Sequence, residues 1–108
     1  MKLVLCVLNG RVAPRCFDAM EMLMVTMRKG DTITNKKAIT VGALDPQELC
    51  TLVEHLRPNL MICGGVREEF QQKLKKNNIK LIHNVIGNVD DVLNRYMEGI
   101  LCSGDIVK

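Results

Sequence analysis

Aromatic residues are nearly absent from this 108-residue chain, which has one Tyr, two Phe and no Trp. Proteins that grip single-stranded nucleic acid stack its bases on aromatic rings, so that class is poorly served. Long apolar runs are missing too. The longest, Leu3-Val4-Leu5-Cys6-Val7-Leu8, has six residues, too short for a signal peptide's apolar region and far too short for a membrane span. The five cysteines, at 6, 16, 50, 63 and 102, include no CxxC pair. Odd in number and widely spaced, they exclude a disulfide framework and a self-contained zinc site. Reduced thiols and the missing membrane segment imply a cytoplasmic protein. The run 3–8 carries no carboxylate, so magnesium-dependent phosphodiester cleavage lacks its usual anchor. There is no P-loop, and Cys63-Gly64-Gly65-Val66-Arg67 is not a dinucleotide fingerprint. A Cys–His catalytic pair drawn from Cys16 or Cys63 with His83 has no evident third group to orient it. No enzyme is expected.

What is present describes a globular domain. Hydrophobic residues make up 47% and charged residues 25%, which excludes disorder. The length fits one domain, residues 1–108. With so few aromatics, bulk falls to Leu, Ile, Val and seven Met. The net charge of +3 is too small to argue for nucleic acid. The positive excess sits in two blocks, one holding Arg11 and Arg15 and one beginning at Arg67.

Three apolar strands come first, over residues 3–8, 20–27 and 32–42. A polar loop with Pro14 separates the first two, and the turn signal Arg28-Lys29-Gly30-Asp31 separates the second from the third. With no helix between them, part of the sheet is antiparallel. The texture then becomes helical. Asp45-Pro46-Gln47-Glu48 is a capping arrangement, and Leu49, Leu52, Val53 and Leu56 follow on one stripe. Residues 60–63 form a short buried strand ending at Gly64-Gly65. Residues 67–77 form a charged helix with Phe70 and Leu74 inward, and 79–83 a fifth strand. Asn88 caps a last helix carrying Val89, Val92, Leu93, Tyr96 and Met97, closed by Gly99. The order β-β-β-α-β-α-β-α predicts an α/β fold, a mixed five-stranded sheet flanked by helices with right-handed parallel crossovers.

Three motifs carry a resemblance: Gly10-Arg11-Val12-Ala13-Pro14 with Phe17-Asp18, then Met61-Ile62-Cys63-Gly64-Gly65-Val66, then Gly87-Asn88-Val89-Asp90-Asp91-Val92-Leu93 with Tyr96 and Gly99. In that order, spanning residues 2 to 101, they resemble the dinitrogenase iron–molybdenum cofactor biosynthesis family in its short stand-alone form. The family places one residue between Pro and Phe-Asp, whereas here Arg15 and Cys16 both intervene. The resemblance implies a ribonuclease H-like motif with sheet order 3-2-1-4-5. It also implies a small accessory or carrier protein that binds an iron–molybdenum or related metal–sulfur cluster. Its partners would be a cluster donor and an acceptor protein, with neither nucleic acid nor membrane involved. A ligand-free adaptor in metallocluster assembly is the rival reading.

In open α/β sheets, ligands sit beyond the carboxyl ends of the strands, where the strand order reverses. With order 3-2-1-4-5, that crevice is flanked by the loop 9–18 and by Gly64-Gly65-Val66. Cys16, Cys63 and His83 are then the candidate metal ligands, since thiolate and imidazole suit iron, copper and iron–sulfur clusters. Arg11, Arg15 and Arg67 are candidates to face an anionic cluster. Each has a plainer reading beside it. Cys63 is either a ligand or a small core residue, and His83 either a ligand or a solvated cap. Gly64 and Gly65 either offer amides to an anion or allow close packing. Cys16, beside Arg15 in a polar loop, is expected to have a depressed pKa. Cys6 and Cys50 read as core and helix-face residues.

Overall fold

Residue 3 to residue 8 must bury every side chain, so a strand here needs cover on both faces. The computed structural model, which describes residues 1–28 and 32–108, gives it that cover. β1 (Lys2–Leu8) is the central strand. Its alternate residues Leu3, Leu5 and Val7 face one layer, and Val4 and Cys6 face the other. The remaining strands are β2 (Arg11–Val12), β3 (Glu21–Arg28), β4 (Thr32–Thr40), β5 (Leu60–Ile62) and β6 (Lys80–Ile82). The helices are α1 (Pro46–Leu56), α2 (Glu68–Lys76) and α3 (Val89–Met97). On the first layer, α3 brings Val89, Val92 and Leu93, and the tail adds Leu101 and Val107. On the second, α1 brings Leu49, Cys50 and Val53, and α2 brings Phe70 and Leu74. None of these helices is long and apolar enough to cross a membrane.

The sheet is mixed, as the missing helix between the early strands required. β3 runs antiparallel to both β1 and β4, whereas β5 is parallel to β1 and to β6. Six strands are present among the described residues rather than five, and in chain numbering the order is β4-β3-β1-β5-β6 with β2 on β1, which differs from 3-2-1-4-5 by the numbering that β2 inserts. The extra strand is β2, two residues that fold back on the end of β1 with Val7 opposite Val12. The turn read at Arg28-Lys29-Gly30-Asp31 lies, from Lys29 on, outside the described residues.

The helix boundaries follow local chemistry. At the start of α1, Glu48 N–H donates to Asp45 Oδ1 at 2.8 Å and Asp45 N–H donates to Glu48 Oε1 at 3.1 Å. Both orphan donors are thus satisfied. The helix stops at Arg57, in the left-handed conformation at φ 49. Asp45→Ala should cost about 1 kcal/mol, read as a lower urea midpoint with an unchanged slope. An unchanged midpoint would mean that packing of Leu49 and Val53 alone sets where the helix begins.

Candidate functional site

The parallel register of β1 and β5 sets Leu5 opposite Ile62. The next residues, Cys6 and Cys63, therefore lie side by side, both on the face covered by α1 and α2. Asn9 and Gly10, with φ of 51 and 75, turn the chain back along β1 as β2, and Ala13 N–H donates to Cys6 O at 2.9 Å. The chain then crosses the end of β5, where Gly65 N–H donates to Pro14 O at 2.8 Å and Cys16 N–H donates to Gly65 O at 2.7 Å. This crossing delivers Cys16, at the start of a 3-10 turn over Cys16–Asp18, to a point 3.5 Å from Cys6, sulfur to sulfur. Phe17, the next residue, stacks on Phe70 of α2 with ring centroids 5.6 Å apart.

Cys6, Cys16 and Cys63 are thus one thiol group at the carboxyl ends of β1 and β5, where the strand order reverses. All three are fully buried. Their titration is shared. Cys16 is pulled down to about 5, first by the Cys6 thiol and then by the Cys63 thiol donating to it, against the opposing cost of burial. Cys6 and Cys63 are pushed up, first because each donates to Cys16 and then by burial. Within the group the shift therefore favours the ionised form at Cys16 and the protonated form at Cys6 and Cys63. Cys50, on α1, has its thiol raised chiefly by burial.

The structure divides the expected site residues. Cys16 and Cys63 come together, and Cys6 joins them. Alternation along two parallel strands was the signal for Cys6: whatever face Cys63 takes, a register-matched Cys6 shares it. Arg15 does not act on Cys16. Its side chain is 77% exposed and its Nε donates to Asp18 Oδ2 at 2.9 Å. The depressed pKa arises from neighbouring thiols, not from the guanidinium. Arg11 and Arg67 are exposed, Arg67 as the residue preceding α2 without a capping bond of its own. Gly64 serves close packing, whereas Gly65 would have room for a Cβ. A Cβ on Gly64 would overlap the carbonyl oxygens of Ala13 and Pro14, and the Gly65 amide is taken by Pro14.

His83 lies elsewhere. It is half-buried at the end of β6, with Nδ1 3.2 Å from Asn84 Nδ2. It lines an open cavity of about 1300 Å³ with Lys75, Lys80, Tyr96 and Ser103. That cavity runs along the outer edge of β6, and the thiols are not among its lining residues. At the thiol end of the sheet, Ala13 and Pro14 cross against Gly64 and Gly65. The loop is not polar: Val12, Ala13 and Cys16 are buried. Among the described residues, no three His, Cys, Asp or Glu side chains stand in an arrangement that could hold a metal ion as they lie. The group as it stands offers a thiol whose neighbours favour its ionised form, two thiol donors and a sulfur–sulfur contact of 3.5 Å.

This is a mixed α/β fold with a buried thiol group at the carboxyl ends of two interior strands, β1 and β5. No family model matches the chain, and no curated protein matches it. Solved structures do. The protein PH0822 superposes with a TM-score of 0.84 at 14% identity, over 94% of this chain and 92% of that one. A Methanocaldococcus jannaschii protein named as a candidate dinitrogenase gives 0.75 at 24% identity, over 94% and 91%. The apo form of the orange protein from Desulfovibrio gigas gives 0.73 at 15% identity, over 99% and 95%. At these identities the likeness is one of fold.

Proposed function

We propose that this chain is a small accessory protein of metallocluster assembly. It takes an iron–molybdenum or related metal–sulfur cluster from a donor protein and passes it to an acceptor. The observation that carries this reading is the convergence of Cys6, Cys16 and Cys63 at the switch point, where the neighbouring thiols favour ionisation of Cys16. Thiolates are the ligands that soft metals and iron–sulfur clusters select. Support comes also from the three family motifs, with the ribonuclease H-like architecture they imply, and from a fold shared with proteins named for dinitrogenase and as an apo orange protein. No catalytic residue is assigned, and neither nucleic acid nor membrane is a partner. Five free thiols suit the reducing cytoplasm.

The donors fit such a cargo better than the space does. A polynuclear cluster reaches the sulfurs only if residues 9–18 lift away from Gly64 and Gly65. Cys16, on the moving segment, would then present its thiolate first, with Cys63 and Cys6 beneath. Arg11 and Arg67, both exposed, would be free to meet an anionic cluster, as would Arg15 if its pairing with Asp18 opened. His83 is left out of the ligand set. Full burial of the thiols favours one second reading: an adaptor in cluster assembly that binds proteins and no cluster.

Anaerobic titration with a preformed iron–molybdenum–sulfur cluster, followed by visible absorption, separates the two. The parent and Cys50→Ser are expected to bind alike, Cys63→Ser more weakly, and Cys16→Ser not at all. If Cys16→Ser and Cys63→Ser both match the parent, or the parent does not bind, the adaptor reading replaces the carrier.

A further inference from the structure

We propose that Cys6 and Cys16 are a redox-active pair, oxidised by hydrogen peroxide to an intramolecular disulfide. The geometry is already close. The two sulfurs are 3.5 Å apart, and a disulfide bond measures about 2.05 Å, so about 1.5 Å of approach suffices. Cys6 lies in the central strand and Cys16 opens a 3-10 turn outside the sheet, so the approach falls to the Cys16 side chain and its turn. Neither sulfur is exposed, which selects the oxidant. Bulky disulfides cannot align on a covered sulfur, whereas hydrogen peroxide is small and uncharged and can enter as the loop breathes.

The chemistry balances with that oxidant alone. The Cys16 sulfur attacks one peroxide oxygen. The O–O bond breaks, an S–O bond forms, and the second oxygen leaves as hydroxide, which becomes water with the proton that Cys16 had released to solvent. Cys16 is then a sulfenic acid. The Cys6 sulfur, already in contact, attacks the Cys16 sulfur. The S–S bond forms, the S–O bond breaks, and the hydroxyl leaves as water with the Cys6 proton. Two thiols lose two electrons, and one peroxide becomes two waters. The product staples the loop 9–18 to β1 and withdraws Cys16 from any metal. The pair goes beyond the cluster reading and stands without it, because the metal-free protein alone undergoes the reaction.

Trypsin reads the linkage directly, since it cuts after Arg11 and Arg15, between the two cysteines. Metal-free, reduced Cys102→Ser protein is the starting material, because Cys102 is the exposed thiol and would cross-link molecules. After peroxide, two thiols should be lost, and peptides 3–11 and 16–28 should travel together until dithiothreitol separates them. In Cys6→Ala, Cys16 should instead be trapped by dimedone as the sulfenic acid. Peptide 16–28 joined to peptide 38–67, which carries Cys50 and Cys63, would overturn the pairing. So would a full count of free thiols, or oxidation of Cys16 with no linked peptide. The parent map decides even if Cys6→Ala does not fold. With no metal in the assay, failure here leaves the cluster titration to be judged by itself.

Discussion

Gly64→Ala is expected to cost more than about 3 kcal/mol of folding stability, or to prevent folding altogether. The added methyl would overlap the Ala13 and Pro14 carbonyl oxygens and lie 2.7 Å from the Pro14 carbonyl carbon. These are backbone atoms held from both sides. Ala13 is bonded to Cys6 O, Pro14 O to the Gly65 amide, and Cys16 N–H to Gly65 O. Relief therefore means lifting the crossing segment, breaking those bonds and uncovering Cys16. Gly42 is the control. A Cβ there would meet the Met20 Cε at 2.7 Å, the far end of a flexible and exposed side chain, so Gly42→Ala should change stability little. Urea denaturation measures both variants, and iodoacetamide labelling of Cys16 in the folded protein reports whether the segment has lifted. A Gly64→Ala protein as stable as the parent, with Cys16 still protected, would mean that the segment is not packed on Gly64 as described.

The elements that positioned this site were legible where periodicity or capping spoke. The continuous apolar run 3–8 could only be a doubly covered strand. Asp45-Pro46-Gln47-Glu48 announced α1, and Phe70 with Leu74, four residues apart, gave the inward face of α2. The loop 9–18 was misread because nothing in it repeats. Two residues of β2 are too short to show a period of two, and Val12, Ala13 and Cys16 are separated by Pro14 and Arg15. The chain covers its own crevice with that segment, and only the spatial partners Gly64 and Gly65 show why. The same limit explains the wrong cause given to the Cys16 pKa. Arg15 is adjacent along the chain, but its side chain turns to solvent and to Asp18, while the effective neighbours come from β1 and β5. His83 ends β6 as expected, but β6 is the edge strand, and its outward side faces the large cavity rather than the switch point.

Stability should rise with pH between about 5 and about 9, with Cys16 as the cause. Its pKa is lowered from 9.0 to about 5 in the folded protein. Across that window the unfolded chain holds a proton on Cys16 that the folded chain has released. Stability then increases with pH, by at most about 1.4 kcal/mol per pH unit. The contribution is fully present above pH 9 and fades as pH falls through 5. Beyond about pH 9 the sign reverses, since Cys6, Cys63 and Cys50 keep their protons in the fold and lose them when unfolded. Urea midpoints measured across this range in reducing buffer should therefore peak near pH 9. Cys16→Ser removes the titrating group while keeping nearly the same volume, so its curve should be flat between pH 5 and 9. Thiolate absorbance in the ultraviolet gives a second reading of the same group: a step near pH 5 in the parent, absent in Cys16→Ser and in either protein once unfolded. Parallel stability curves for parent and variant would show that the charge on Cys16 is not what the Cys6 and Cys63 thiols stabilise. The thiol group would then be packed core, with no thiolate held ready for a metal.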